Sequence, residues 1–490
     1  MSLAQQGNPT RAPAPAAAGK STGRAAARLE QSILQKPDAM PWRDYLFMLL
    51  HVGAEIEHAL MVQYLYTAYS LGDENLATGT DQDRVRTWRD FMLTVAKEEM
   101  GHLLTVQNVL CLLGGPISFD RHDLPWNSPF LPFQFHLMPA STESLSCYVY
   151  AEMPDNFAAL KAPRPGSRAA EFLRDDKNRI LAVVKKLSNG TTTMPVGKIY
   201  ERIIEIVNNP AWIRDSDFRA DTYPVQASWD DWGRGYRPAP ARPGGTERPA
   251  GSSKTSVIIE QMGTRTEAVE ALKRVAEQGE AAHIRSNLAE EESHFDRFVK
   301  VYQQFEQYNG RQAVRQVPTN PATSACGNDE DRLITAVSSL AWARLFNVRY
   351  RMLLQYLTHT FRLARAADPA APGLRGAVMH KIFGEMYNLK AIAGILVRSP
   401  LKTRADPRRA GPPFEMPYSL TLPLDETDCW RLHRDILDTS VRLCATLKRQ
   451  ADLTPEARNY LQTLYDLDAQ SKVWIERLLN GLRPTGSHRK

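Results

Sequence analysis

The sequence predicts an all-α protein built on a four-helix bundle, with a long irregular insertion and an additional C-terminal helical region. Two long segments without proline, 42–71 and about 84–113, carry apolar residues at helical spacing. Two later helical segments, 264–282 and 288–308, can complete the bundle. Between the two pairs, proline, glycine and aromatic residues interrupt this periodicity, which is typical of a lid or binding loop.

Length and composition favour a globular protein of more than one packed unit. The chain has 490 residues, of which 43% are hydrophobic and 24% charged, and single cores rarely grow beyond about 300 residues. We expect a disordered tail over 1–39 and a bundle over 40–310, interrupted by the insertion at 116–262. The additional helical region is expected over 331–490.

Capping and terminating residues set the predicted helix boundaries. Pro41 suits the start of the first helix and Gly72 its end. Asp81 or Asp83 can cap the second helix, and the Gly-Gly-Pro run that begins at Gly114 ends it. The C-terminal region is predicted to contain helices over 332–366, 374–397, 426–449 and 455–482.

The insertion is predicted to be mostly irregular. Residues 116–195 are rich in proline, serine and aromatic side chains, and the run SCYVYAEM at 146–153 is typical of a short strand. One helix is expected at about 196–208. A proline- and glycine-rich stretch follows to about 253.

Composition argues against several classes of protein. The five cysteines are odd in number and contain no CxxC pair, which argues against a disulfide scaffold and for a cytoplasmic location. The net charge of +6 is small for this length, so no nucleic-acid partner is expected. No apolar run reaches about 18 residues, so no membrane partner is expected either.

Two pairs of glutamate and histidine carry the predicted chemistry. Glu99 with His102, and Glu291 with His294, lie three positions apart on helices, so each pair shares a helix face and can hold one ion. Bundles that bind two metal ions combine two such pairs with one further glutamate from each of the other two helices.

Glu57 and Glu280 are the candidates for those two further positions. Glu57 and Glu99 lie at similar distances from the turn between their helices, about 20 Å at about 1.5 Å per residue. Glu280 lies near the turn that joins the other two helices. Glu55 remains an alternative to Glu57, and Glu277 to Glu280.

Carboxylate and imidazole ligands without a thiolate favour two iron ions, with manganese as the alternative, over a structural zinc site. The acidic neighbour Glu98 is expected to point away from the site and to be solvated. His51 and His58 are expected to be structural rather than to orient the ligands. Tyr64 and Tyr66 are expected to pack in the core rather than to approach the ions.

Six motifs occur in a fixed order: VGAEIEHALMVQYLYTAYSL, VAKEEMGHLLTVQNVLCLLGGP, VGKIYERI, AEQGE, EESHFDRF and PPFEMPYSLTLP. Together they resemble the ferritin-like domain of the iminophenyl-pyruvate dimer synthase family of the violacein and indolocarbazole pathways. The resemblance spans about 40–425 and implies a ferritin-like bundle, a metal site and oxidative chemistry on an amino-acid-derived substrate. It supports as ligands Glu57, Glu99, His102, Glu280 and His294, with Glu291 inferred from spacing.

Three functions remain open from the sequence. The first is a diiron oxidase or oxygenase that uses O2 on a small metabolite in secondary metabolism, as a homodimer or with a partner enzyme. The second is ferroxidase-type iron binding without an organic substrate, although the insertion and the C-terminal region argue against a storage cage. The third is a metal-free structural or partner protein, which the six ligand-type residues argue against.

Overall fold

A computed structural model describes residues 33–74, 76, 79–153, 176–188, 194–229, 231–232, 257–279, 293–325, 330–365, 373–416 and 421–481. Across these ranges the chain is helical, and its only β contacts are isolated bridges. The all-α fold class is therefore confirmed. Most of the predicted tail, 1–32, lies outside the described residues.

Helices of the N-terminal part are α1 (Trp42–Ser70), α2 (Gly79–Leu112), α3 (Thr142–Ala151), α4 (Lys177–Leu187), α5 (Val196–Asn208), α6 (Arg265–Gly279) and α7 (His294–Gln307). Helices of the C-terminal region are α8 (Val337–Thr360), α9 (Leu374–Leu396), α10 (Glu426–Lys448) and α11 (Pro455–Gly481).

The hairpin of α1 and α2 forms the centre of the fold. Helix α1 buries residues on all its faces, which is typical of a helix enclosed by others. Helix α2 begins at Gly79, five residues before the predicted start, and ends where Gly114 adopts a left-handed φ of 68°. The amide of Gly115 then donates to the carbonyl of Leu110 at 2.8 Å, which closes the last turn.

Helix α1 also passes a test of length and hydropathy for crossing a membrane. About two thirds (67%) of its most apolar window is buried inside the fold. A core helix passes the same test, so the result is only a weak indication of a membrane span.

The predicted strand at 146–153 is wrong, because these residues lie in and just after helix α3. The side chain of Ser141 accepts a hydrogen bond from the Ser144 amide at 3.0 Å, and the Ser144 hydroxyl accepts one from the Ser141 amide at 3.0 Å. This reciprocal cap starts the helix. Residues 144–151 are all buried, so this helix has no exposed polar face and its sequence gives no helical period.

The remaining helices enclose the hairpin. Helix α7 packs against α3, while α5 and α6 pair with each other and pack against α1 and α2 respectively. The segment 257–262 crosses α2 at Gly101, where an added Cβ would lie 2.7 Å from the carbonyl oxygen of Ile258. Glycine is therefore needed for this close approach beside His102.

In the C-terminal region, α8 packs against α9 and α10, and α10 packs against α11. Arg349 on α8 is buried between two carboxylates, at 2.8 Å from Glu385 on α9 and 2.5 Å from Asp468 on α11. Tyr350 on the same helix hydrogen-bonds His58 on α1. The C-terminal helices thus contact the bundle directly.

Candidate metal centre

A first group of donor atoms joins α1 and α2. Glu57, Glu99 and His102 are at most 3% exposed. The Nδ1 atom of His102 lies 3.0 Å from Glu99 Oε2 and 3.5 Å from Glu57 Oε2. One donor atom from each residue lies within 4.8 Å of the others, which is close enough for all three to bind a single ion.

A second group shares Glu99 with the first. The Nδ1 atom of His294, at the start of α7, lies 2.9 Å from Glu99 Oε1 and 3.6 Å from Oε2 of Glu152, which follows α3. All three residues are at most 4% exposed. Glu99 directs one oxygen to each histidine, so it would be a ligand common to both groups if each held an ion.

Two buried ligand atoms are better placed to bind a metal ion than to form a hydrogen bond with each other. Glu99 Oε1 and His294 Nδ1 lie 2.9 Å apart, yet neither has a hydrogen bond of acceptable geometry. Two ligand atoms held about 2.1 Å from one ion at right angles lie about 3.0 Å apart. A cavity of about 20 Å³ beside Glu57, Glu99, His102 and Glu152 gives room for an ion or a water-sized molecule.

Both histidines are oriented by a second partner. His102 Nε2 lies 2.9 Å from Oε1 of Gln278 on α6, and His294 Nε2 lies 2.9 Å from Glu98 Oε2. Arg297 also donates to Glu98, at 2.6 Å. The expectation that Glu98 is solvated is wrong, because its side chain is fully buried by this contact. Such partners fix each ring with Nδ1 toward the carboxylates.

Two tyrosines hold the outer carboxylates. The hydroxyl of Tyr200 on α5 donates to Glu57 Oε1, and that of Tyr64 on α1 donates to Glu152 Oε1. Tyr64 therefore reaches the centre, whereas Tyr66 donates to the carbonyl of Pro318 elsewhere.

Comparison with known proteins identifies the family of the chain. A family model described as ferritin-like matches residues 50–303, which is more than half of the chain. The chain belongs to the ferritin-like family. Dichlorochromopyrrolate synthase of Lentzea aerocolonigenes is 25% identical over 424 residues. It is a member of the iminophenyl-pyruvate dimer synthase family, so the resemblance inferred from the motifs is confirmed.

The match to dichlorochromopyrrolate synthase covers 79% of this chain and 37% of that protein. The chain thus spans little more than a third of the length of the curated relative. No solved structure gives a significant match.

The two groups together are called the ferritin-like centre below. They contain four of the six predicted ligands: Glu57, Glu99 and His102 in the first group, and His294, with the shared Glu99, in the second. Glu280 and Glu291 lie outside the described residues, so their role stays a prediction. The two alternatives do not join the centre: Glu55 lies 3.1 Å from His122, and Glu277 is half-buried outside both groups.

Glu152 is the residue that sequence reasoning missed. It follows the apolar run of α3 and is 4% exposed. A carboxylate in such surroundings is costly to bury unless it is paired or binds a metal. Glu152 is identified by this argument once the run is recognised as a buried helix.

Burial and neighbouring charges shift the pKa values at the centre. Burial, with the adjacent Glu99 carboxylate, raises the pKa of Glu57 to about 7. Burial opposes the charged form of His102, but Glu99 and Glu57 outweigh it and raise the pKa of His102 to about 10. The pKa of His294 is likewise well above its usual value, because Glu99 and other carboxylates outweigh burial. Without a metal, the raised pKa values favour the protonated form of both imidazoles.

We expect metal affinity to rise steeply with pH between about 6 and 8. A group with a raised pKa keeps its proton at any pH below that pKa, and a metal ion that binds there must displace the proton. Displacing a proton from each histidine strengthens binding by at least about tenfold per pH unit. Competition with a chromophoric chelator, corrected for the chelator's own titration, measures this. A flat profile would contradict the protonation states described here.

We expect Glu98→Gln to weaken binding of the ion held by His294 about 10- to 100-fold, and to leave the other ion unaffected. The change keeps the shape of the side chain but removes the charge that orients His294. Isothermal titration with Mn²⁺ resolves the two affinities. Glu143→Gln, at an exposed carboxylate on α3, is the matched control and should bind as wild type does.

Proposed function

We propose that the chain is a dinuclear non-haem iron oxidase or oxygenase that acts on a small amino-acid-derived metabolite. The observation that carries the proposal is the pair of buried carboxylate and histidine groups that share Glu99. Glu57 and His102 would complete one position, and Glu152 and His294 the other. Glu280 and Glu291 are proposed as further ligands on the basis of the sequence, and manganese remains the alternative to iron.

These residues would hold two iron ions, and iron bound there would supply the binding and reduction of dioxygen. The chain's own residues would set the conditions for that chemistry. Tyr64 and Tyr200 fix the carboxylates of Glu152 and Glu57 by hydrogen bonds. Apolar side chains, among them Leu60, Val196 and Val275, line the cavity beside the ligand atoms and make part of its wall apolar.

The substrate class is proposed from the family rather than from the cavity. The relative's name states that it synthesises dichlorochromopyrrolate, and the motifs imply an amino-acid-derived substrate for this chain. We propose that it acts with a partner enzyme that supplies the reactive substrate. Association as a homodimer is the alternative.

One observation favours a second candidate, ferroxidase-type iron binding without an organic substrate. The cavity beside the ligands measures about 20 Å³ in the part of the chain that the structure describes. That volume holds a water-sized molecule but no metabolite. Under this second proposal the centre would oxidise Fe(II) alone.

Oxygen uptake separates the two proposals. The full chain is loaded anaerobically with Fe(II), mixed with O2, and followed with and without an imine made enzymatically from an aromatic amino acid. Uptake that continues as the imine is consumed supports the oxidase. A single burst of O2 uptake, stoichiometric with Fe(II) and equal with and without the imine, supports the ferroxidase. The same absence of uptake in wild type and in Glu99→Ala would remove both proposals.

A further inference from the structure

A second cluster of metal-ligand side chains lies in the C-terminal region, apart from the ferritin-like centre. His359 is in the last turn of α8, and Glu426 and Cys429 are three positions apart near the start of α10. Residues at this spacing share a helix face. One donor atom from each of the three residues lies within 4.8 Å of the others.

The imidazole of His359 is held between its neighbours. Its Nε2 atom lies 3.1 Å from both oxygens of Glu426, and its Nδ1 atom lies 2.9 Å from Nε2 of His433. Trp430 donates its indole N–H to Glu426 Oε1 at 2.8 Å. Both the imidazole and the carboxylate thus have an orienting partner behind them, as ligands of protein-bound metals usually do.

The thiol of Cys429 is fully buried. It donates to the carbonyl of Pro423 at 3.1 Å, and Arg362 Nη1 lies 3.5 Å from the sulfur. The guanidinium favours the thiolate, which is the form that binds metals. Burial nevertheless raises the pKa of Cys429 above its usual value, so a bound ion would have to displace the proton.

We propose that His359, Glu426 and Cys429 form a site for one Zn²⁺-type divalent cation, independent of the function proposed above. One nitrogen, one oxygen and one sulfur ligand suit zinc, and three protein ligands leave a fourth position open. The Glu426 side chain is 40% exposed, so solvent can reach that position.

Cobalt substitution tests the site by a signal that the ferritin-like centre cannot give. The full chain is titrated with Co²⁺ under reducing, anaerobic conditions, and thiolate-to-cobalt charge transfer is followed in the near ultraviolet. The ligands assigned to the ferritin-like centre include no thiolate. We expect a band that saturates at one ion per chain and that added Zn²⁺ removes.

Matched variants assign the band. Cys429→Ser and His359→Asn should abolish it, whereas Cys444→Ser, at a buried thiol on the same helix, should keep it. Glu99→Ala should also keep it, because the two sites are separate. A band that survives Cys429→Ser, or no band in wild type, would mean that the cluster is only hydrogen-bonded and would overturn the proposal.

If Cys429→Ser fails to fold, Glu426→Gln decides the question, because this half-exposed side chain tolerates substitution more readily. We expect Glu426→Gln to weaken Co²⁺ binding by about tenfold or more, as measured by the same band. An unchanged affinity would overturn the proposal.

Discussion

Replacing Glu99 by alanine should remove both metal ions from the protein. Its two oxygens face different histidines, at 3.0 Å from His102 and 2.9 Å from His294. The variant loses a ligand from each position at once and leaves two buried imidazoles without their common carboxylate. We expect affinity to fall more than about 100-fold at both positions, beyond the effect of losing an orienting partner. Equilibrium dialysis against Fe(II) or Mn(II) measures this loss.

Glu55→Ala is the matched control for Glu99→Ala. Glu55 is a partly buried carboxylate on α1, two residues from Glu57, and its contact is with His122. It should bind metal as wild type does. Retention of one ion by Glu99→Ala would show that Glu99 serves a single position and does not bridge two.

Replacing Arg349 by methionine should destabilise the protein by about 3–5 kcal/mol. The change leaves Glu385 and Asp468 buried next to each other without the cation that pairs with both. Breaking a buried ion network in this way is among the largest effects of a single substitution. Urea unfolding, followed by circular dichroism, gives the free energy of unfolding.

Two further variants make the Arg349 prediction specific. Arg431→Met removes an exposed ion pair, in which the side chains of Arg431 and Asp428 are 54% and 50% exposed. This change should lower the free energy of unfolding by less than about 1 kcal/mol. Adding Glu385→Leu and Asp468→Leu to Arg349→Met removes the unpaired charges and should recover most of the loss. A loss below about 1 kcal/mol in Arg349→Met alone would contradict the account.

The sequence predicted the long helices well because each carries its own start, periodicity and stop. Helix α1 begins at Trp42 as Pro41 indicates, and α9 to α11 lie within one residue of their predicted bounds at both ends. Helix α8 is shorter than its predicted range, since it covers only Val337–Thr360. Helix α3 was mistaken for a strand because full burial removes the polar face that reveals a helical period.

Candidate metal ligands could be predicted where they lie close together in the sequence, at a spacing that places them on one helix face. Glu99 and His102 lie three positions apart on one helix, so their proximity follows from helix geometry alone. Glu98 and Glu152 could not be placed in this way, because their partners are 196 and 142 residues away along the chain, at His294. The packing of α7 against α2 brings Glu98 to His294, and its packing against α3 brings Glu152 there.

Metal stoichiometry tests the central claim most directly. The full chain is expressed with iron and manganese, and bound metal is measured by elemental analysis for wild type, His102→Ala and His294→Ala. The two groups of ligands predict about two ions per chain in wild type and about one in each variant. One ion or none in wild type, or equal content in all three proteins, would contradict a dinuclear centre at these residues.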